Sequence, residues 1–415
     1  MKKQMNHLAA VLLAVTAPLA LAEVLLKDAR FDGADDTIDI RVEGSEIVEL
    51  GKGLAAGEGT DVVEVGGAIV TPGFIDGATT LGLGEVDSFA QAEDGRVSGI
   101  NLSAGFDVST AINRRSSMIP VAPNDGVTTA VVVPVPGEHI LAGLSATLST
   151  GAARTVDGQL GLHAFLSEYA RRHGGTSRAA ALYTLIDALR EGDRYRRNKR
   201  AYEAGRIRPF EYSTADLEAI SRVLERAIPL VVHIDRATDI ENLLEALREF
   251  DVWLILAGAA AGWQVADQLA EASVPVLLNV LDNTPGTFDT LGARLDNAAL
   301  LAKAGVTVAF VSTEPFSEFR SLSQAGGVAV AYGMPRAEAL RALTENPARI
   351  WQISGKGVIE EGAVADLVIW NGDPLEVMSS PTRVMIGGKW VDLRTRMDML
   401  RDRYSGDQTA PPGYR

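Results

Sequence analysis

The feature that most limits the possible folds is a regular alternation of apolar runs and amphipathic helical segments in the second half of the chain. Each apolar run is short enough to be one buried strand, and residues at helical spacing follow it. Ser213 and Asp216 open one of these helical segments with the spacing of a capping box. Such an order predicts a parallel sheet. The predicted strands of this part lie at residues 230–234, 252–256, 276–280 and 306–311.

Three more strands are predicted upstream, so the alternating region covers residues 71–351. A region of about 280 residues with this order favours a closed (β/α)8 TIM-like barrel, an α/β fold. The eighth strand has no clear position in the sequence, and a polar helical segment at about 171–208 is predicted to be an insertion. The upstream strands are predicted at residues 69–75, 127–133 and 159–165.

The two ends of the chain have a different pattern of apolar and polar residues. Residues 23–70 consist of short alternating runs with turn residues, which predicts a small antiparallel sheet. Residues 352–400 contain a predicted hairpin around Gly387 and Gly388. We therefore predict that both ends form one small β-sandwich-like domain, followed by a tail at residues 401–415.

Residues 1–22 have the pattern of a secretory signal peptide. Lys2 and Lys3 precede an apolar run, and small residues ending at Ala22 form a cleavage site before Glu23. The run is short for a bilayer, so an uncleaved anchor is the less favoured alternative. The pattern predicts a periplasmic or secreted protein that has no membrane association after cleavage.

Charge and cysteine content exclude several classes of function. The net charge of −15 argues against binding to nucleic acid, because phosphates repel an acidic surface. The chain has no cysteine, which excludes disulfides, thiol chemistry and cysteine-ligated metals.

Five segments, in order, resemble one known family. Residues 69–86 read IVTPGFIDGATTLGLGEV and fit most of the pattern "TPGxIDxHxHLG". Residues 124–134, 229–240, 344–349 and 357–374 are similar to the later motifs of the same group. Together they identify a resemblance to the metal-dependent amidohydrolase superfamily, in particular to its exported imidazolonepropionase-like group. The resemblance covers nearly the whole chain after residue 22.

The resemblance implies metal-assisted hydrolysis of an amide or cyclic amide C–N bond in a small molecule, but most metal ligands are replaced. Ala78 and Thr80 stand where the family has two histidines. His233 matches a third histidine, Gly258 replaces a fourth within residues 256–262, and Glu314 stands near the position of the family's aspartate. Two ligands do not normally hold a catalytic zinc ion. The leading hypothesis is a family member with a degenerate metal site, without cofactor, in which activity is weak or lost.

Two alternatives remain open, and with them whether the chain is an enzyme. A barrel without catalytic activity can still bind a small molecule. It can also act as a partner subunit of an active paralogue or in a homo-oligomer. Alternatively, a rebuilt site holds Zn²⁺ or another divalent metal and supports catalysis. The candidate ligands of a rebuilt site are His139, His163, His233, Glu138 and Glu314.

Overall fold

The computed structural model describes residues 22–85, 93–167, 177–208, 210–282, 284–312 and 321–405. The predicted signal peptide, apart from Ala22, lies outside the described residues, as do Glu314 and the end of the predicted tail. No helix within the described ranges is long and apolar enough to cross a membrane.

The described residues form a mixed α/β fold. Its strands are β1 (Glu23–Arg30), β2 (Thr37–Glu43), β3 (Glu46–Gly51), β4 (Asp61–Glu64), β5 (Val70–Pro72), β6 (Phe74–Thr79), β7 (Val127–Val132), β8 (Leu141–Leu144), β9 (Ala146–Ser149), β10 (Val156–Asp157), β11 (Leu162–Phe165), β12 (Leu230–Ile234), β13 (Leu254–Gly258), β14 (Val276–Leu278), β15 (Val308–Phe310), β16 (Leu367–Trp370), β17 (Pro381–Ile386) and β18 (Lys389–Trp390).

Most of the α-helices alternate with strands in the second half of the chain, and the last one lies after the final strand. They are α1 (Arg178–Glu203), α2 (Thr214–Leu224), α3 (Ala237–Ala246), α4 (Ala266–Glu271), α5 (Asn297–Lys303), α6 (Leu322–Ala331), α7 (Arg336–Leu343), α8 (Glu345–Ile350) and α9 (Arg396–Ser405).

The two chain ends build two four-stranded sheets. One has the order β3-β2-β1-β4 and the other the order β18-β17-β16-β5. The prediction of antiparallel pairing is confirmed for β1–β3 but wrong for β4, which runs parallel to β1. Buried side chains of both ends, such as Ile40 and Leu367, belong to one apolar cluster. The boundaries of a composite domain stay a prediction.

The central strands are parallel wherever the strand–helix alternation predicts it. Strands β11 to β15 pair in chain order, each parallel to the next, and β6 pairs parallel to β7. However, β7 also pairs antiparallel with β9, and β11 pairs antiparallel with β8. The sequence did not indicate these two short strands. The ladders therefore form two sheets, β10-β9-β7-β6 and β15-β14-β13-β12-β11-β8, and by themselves they do not confirm a closed barrel.

The central strands bury both of their faces, as parallel strands covered on both sides do. One face packs against the helices in the largest apolar cluster of the molecule. The other face contributes to a smaller cluster, here called the Ala78 cluster. Its buried members are Ala78, Val131, Val133, Val231, Ile255, Ala257, Leu277, Ala309, Val311, Ile350 and Trp351.

The helix signals in the sequence are confirmed where the structure describes them. The Ser213 hydroxyl accepts from the backbone N–H of Asp216, and the Asp216 carboxylate accepts in return, which is the predicted capping box. The predicted insertion contains the long helix α1. Its basic side chains are largely paired with acids on the same or the next helix, for example Arg196 and Arg197 with Asp193.

Candidate functional site at the ends of the parallel strands

The two positions at which the resemblance predicts metal ligands lie on β6 and in the turn after it, and they are occupied by Ala78 and Thr80. Ala78 is buried, with 2% of its surface exposed, and belongs to the Ala78 cluster. Thr80 follows the strand, and its carbonyl accepts from the backbone N–H of Leu83 at 2.9 Å. The first of these positions therefore contributes a methyl group to an apolar environment.

Asp76, on the same strand, links β6 to the end of β15. Its Oδ1 accepts from the backbone N–H of Ser312 at 3.1 Å, and its Oδ2 accepts from the Ser312 hydroxyl. Oδ1 also accepts from the backbone N–H of Ala78 at 3.3 Å. This buried carboxylate thus satisfies backbone donors, which agrees with a structural use of the residue.

His233, which the resemblance predicts to match a ligand histidine, lies near the end of β12 and is paired with His163 of β11. The Nδ1 of His163 and the Nε2 of His233 are 3.0 Å apart, a hydrogen-bond distance. Phe165 stacks on His233 with ring centroids 3.9 Å apart, and Trp351 stacks on His163 at 6.0 Å. The pair is held in place by aromatic rings on both sides.

Burial keeps both imidazoles neutral. It lowers the pKa of His233 to about 3, because the charged form loses its hydration. It also lowers the pKa of His163 well below its ordinary value, and the neighbouring His233 adds to that effect. The Nε2 of His163 is buried and has no hydrogen-bond partner among the described residues. One ring therefore donates to the other, and neither is placed to take up a proton near neutral pH.

The structure places Gly258 at a constrained point beside the next strand end. In the ladder, Ala257 is the residue in register with His233, whereas Gly258 pairs with Ile234. Gly258 has a φ of +91°, and a Cβ at this position would stand 2.6 Å from Oδ1 of Asp235. A side chain here would be strained by the backbone and would collide with that carboxylate.

The remaining candidate ligands do not complete a site within the described residues. His139 and Glu138 are exposed in the connection between β7 and β8, and Glu138 accepts from the backbone N–H of Gly99 at 3.0 Å. No group of three His, Asp or Glu side chains in the part of the chain that the structure describes could hold a metal ion. Zinc in proteins takes three or four such ligands, so the described donors do not fit a zinc ion.

A cavity of about 780 Å³ lies at the ends of the central strands. Ser167 lies two residues after β11, Asp235 directly follows β12, and Asp282 follows β14. In open and closed parallel sheets alike, this carboxyl edge is where ligands bind. We refer to it as the strand-end cavity. Its other lining residues are Pro285, Gly286, Thr287, Phe288, Asp289, Thr290 and Leu291.

Carboxylates dominate the electrostatics of the strand-end cavity. The pKa of Asp235 is raised to about 6, mainly because burial disfavours the charged carboxylate. The hydrogen bond from the N–H of Ala260 opposes this shift, and the charges of Asp289 and Asp282 contribute to it. Arg178 donates from Nε to Oδ1 of Asp289 at 2.9 Å and lies 3.5 Å from Asp239. The sequence analysis did not single out Asp235, although an aspartate directly after a buried strand is a signal that could have found it.

The family is decided by comparison with known proteins. The profile described as the Amidohydrolase family matches residues 69–391, which is most of the chain. The chain belongs to the amidohydrolase family. Its resemblance to that superfamily, inferred from the motifs, is thereby confirmed.

Similar proteins of known name are matched over part of their length. A dihydroorotase of Geobacter sulfurreducens is 37% identical over 111 residues, which covers 26% of this chain and 24% of that protein. The amidohydrolase tasK of Hapsidospora irregularis is 22% identical over 387 residues, which covers 84% of this chain and 39% of that protein. The chain thus spans about a quarter to two fifths of these relatives.

Solved structures share the fold over nearly the whole chain. An amidohydrolase from Thermotoga maritima MSB8 is 24% identical with a TM-score of 0.81, covering 89% of this chain and 100% of that one. A molinate hydrolase is 15% identical with a TM-score of 0.56, covering 90% and 95%. At these identities the likeness concerns the fold of an amidohydrolase.

Proposed function

We propose that this amidohydrolase-family protein binds a small molecule in the strand-end cavity and has lost most or all of the family's metal-assisted hydrolysis of amide C–N bonds. The observation that carries the proposal is the Ala78 cluster. Where the family places metal ligands, this chain has aliphatic side chains packed together, and the retained His233 is hydrogen-bonded to another histidine.

The physical reason is the cost of placing a divalent cation in apolar surroundings. A metal ion needs ligands that replace its hydration shell, and methyl groups cannot do so. Ala78 and Ala257 offer only methyl groups. The strand-end cavity, by contrast, keeps polar groups and space, so ligand binding does not depend on the lost metal site.

We further propose that the central strands close into the predicted (β/α)8 barrel and that residues 1–22 direct export to the periplasm. Closure is supported by the Asp76–Ser312 hydrogen bonds between the first and last parallel strands. It is also supported by the Ala78 cluster, to which strands from β6 to β15 contribute buried side chains.

Metal content tests the proposed function. The protein beginning at Glu23 is purified from the periplasm without chelator or a metal-binding tag, and its metals are measured by mass spectrometry. We expect well below about one zinc, manganese or iron ion per chain, and no hydrolysis in a panel of amides and cyclic amides. One bound ion per chain together with metal-dependent hydrolysis, both lost in His233→Ala but kept in the exposed-site control His139→Ala, would overturn the proposal.

One observation favours the alternative of a rebuilt active site. His163 and His233 are close enough for both nitrogens to turn toward one ion after a small rearrangement. That alternative predicts that Zn²⁺ titration raises the melting temperature of the wild type and not that of His163→Gln. We expect no such difference, because the two nitrogens that would bind the ion already share a hydrogen bond.

A further inference from the structure

We propose that the strand-end cavity selects ligands carrying a positively charged amine or guanidinium group, and that Asp235 is the side chain that selects them. This inference deepens the proposed ligand-binding function and rests on it. It names the class of small molecule that the cavity takes and the residue that determines the choice.

The first step is the balance of charges around the cavity. Asp235, Asp282 and Asp289 all line it. Arg178 is the cation that contacts this group, and it is engaged by Asp289 and Asp239. No salt bridge within the described ranges reaches Asp235 or Asp282. Among the described residues of the cavity, carboxylates are therefore in excess over cations, and a cationic ligand relieves the repulsion between these carboxylates.

The second step is the fixed position of the Asp235 carboxylate. Its Oδ1 accepts from the backbone N–H of Ala260 at 3.3 Å, and its carbonyl accepts from the backbone N–H of Ala261 at 2.9 Å. The missing side chain of Gly258 leaves the space that the carboxylate occupies. A group held by the backbone before the ligand arrives loses little conformational freedom on binding.

The third step is the apolar surface beside the charges. Phe288 and Leu291 line the same cavity with 73% and 65% of their surfaces exposed. An exposed aromatic ring next to carboxylates fits a ligand that joins a cation to an apolar body, since the ring can cover either part. Arylalkylamines are the simplest ligands of this class.

The test compares three probes of similar shape at pH 7.5 and constant ionic strength. Benzylamine is cationic, benzyl alcohol is neutral and benzoate is anionic. Binding is measured by calorimetry and by the shift of melting temperature in the full chain after residue 22. We expect saturable binding of benzylamine, and at least about tenfold weaker binding of the other two probes.

The variants assign the selectivity to one residue. Asp235→Asn and Asp282→Asn should each weaken benzylamine binding, Asp235→Asn by about tenfold or more. The control Asp251→Asn makes the same chemical change at an exposed carboxylate paired with Arg226 and should keep wild-type affinity. Circular dichroism and melting temperature confirm that each variant is folded.

The inference is overturned if benzyl alcohol or benzoate binds as well as benzylamine, if benzylamine does not bind at millimolar concentration, or if Asp235→Asn binds like the wild type. These results leave the proposed function intact when another probe fills the cavity. Metal-dependent hydrolysis, measured separately, would overturn the proposed function whatever the amine result.

Discussion

The Ala78 cluster and the strand-end cavity are close together in the fold and differ sharply in chemistry. Strand β12 connects the two regions. Its His233 is in register with Ala257 of the cluster, and Asp235, two residues later, lines the cavity. Burial removes the charge from the histidine and only raises the pKa of the aspartate to about 6. The comparison shows that apolar packing dominates one region, whereas ionisable side chains line the other.

The largest expected effect tests whether the Ala78 cluster is a well-packed core. Trp351 is 1% exposed, stacks on His163 and donates from Nε1 to the carbonyl of Gly77 at 2.9 Å. We expect Trp351→Ala to lower the free energy of unfolding by about 3–5 kcal/mol, measured by urea denaturation. The control Phe288→Ala, at the exposed ring of the strand-end cavity, should change it by less than about 0.5 kcal/mol. Equal losses would erase the contrast between the two regions.

The second effect concerns the neutral histidine pair. The folded-state pKa of His233 is about 3, whereas the unfolded value is about 6.5, so the unfolded state binds more protons between these values. Its contribution to stability is complete above pH 6.5 and is lost as the pH falls toward 3. Acidification from pH 7 to pH 4 should therefore lower the free energy of unfolding of the wild type by about 3 kcal/mol through this residue.

His233→Gln removes this titration and keeps a side chain that can bond to His163. The variant should therefore lose less stability on acidification than the wild type, whereas His139→Gln, at an exposed histidine, should behave like the wild type. Parallel pH profiles for all three proteins would mean that His233 titrates normally.

The third effect concerns Asp235, whose contribution to stability changes with pH in the direction opposite to that of His233. The pKa of Asp235 is raised, so its contribution to stability is present below about pH 4 and is lost as the pH rises through about 6. Asp235→Asn should be more stable than the wild type at pH 7 by about 2 kcal/mol, because the neutral amide removes an unfavourable buried charge. Solvent in the cavity partly screens that charge and limits the gain. The gain should vanish at pH 4. The control Asp251→Asn should show no gain at either pH.

The smallest effect isolates the contact between Gly258 and Asp235. Gly258 and Gly305 have φ angles of +91° and +90°, but a Cβ at Gly305 would meet no atom within 4 Å. Gly305→Ala should cost about 1 kcal/mol for the backbone strain alone. Gly258→Ala should cost about 1–2 kcal/mol more and weaken benzylamine binding, because it displaces the carboxylate. In an Asp235→Ala background, Gly258→Ala and Gly305→Ala should lower the free energy of unfolding by similar amounts.

Much of the fold could be predicted because its signals are local. The run at 230–234 coincides with β12, the spacing of Ser213 and Asp216 gives the capping box, and Gly387–Gly388 forms the turn of the β17–β18 hairpin. The antiparallel partners β8 and β9 were missed, since short runs separated by Ser145 carry no helix or hairpin signal of their own.

For the candidate site, too, some features follow from the sequence and others only from the tertiary structure. The sequence by itself determined the family and the absence of metal-ligating side chains at Ala78, because both follow from residue type within motifs. Only the tertiary structure decided that His163 meets His233, seventy positions away, and that Asp235 needs the empty space at Gly258. Such contacts depend on the register between strands and on a left-handed backbone at one residue. Neither quantity is encoded in the local pattern of apolar and polar residues.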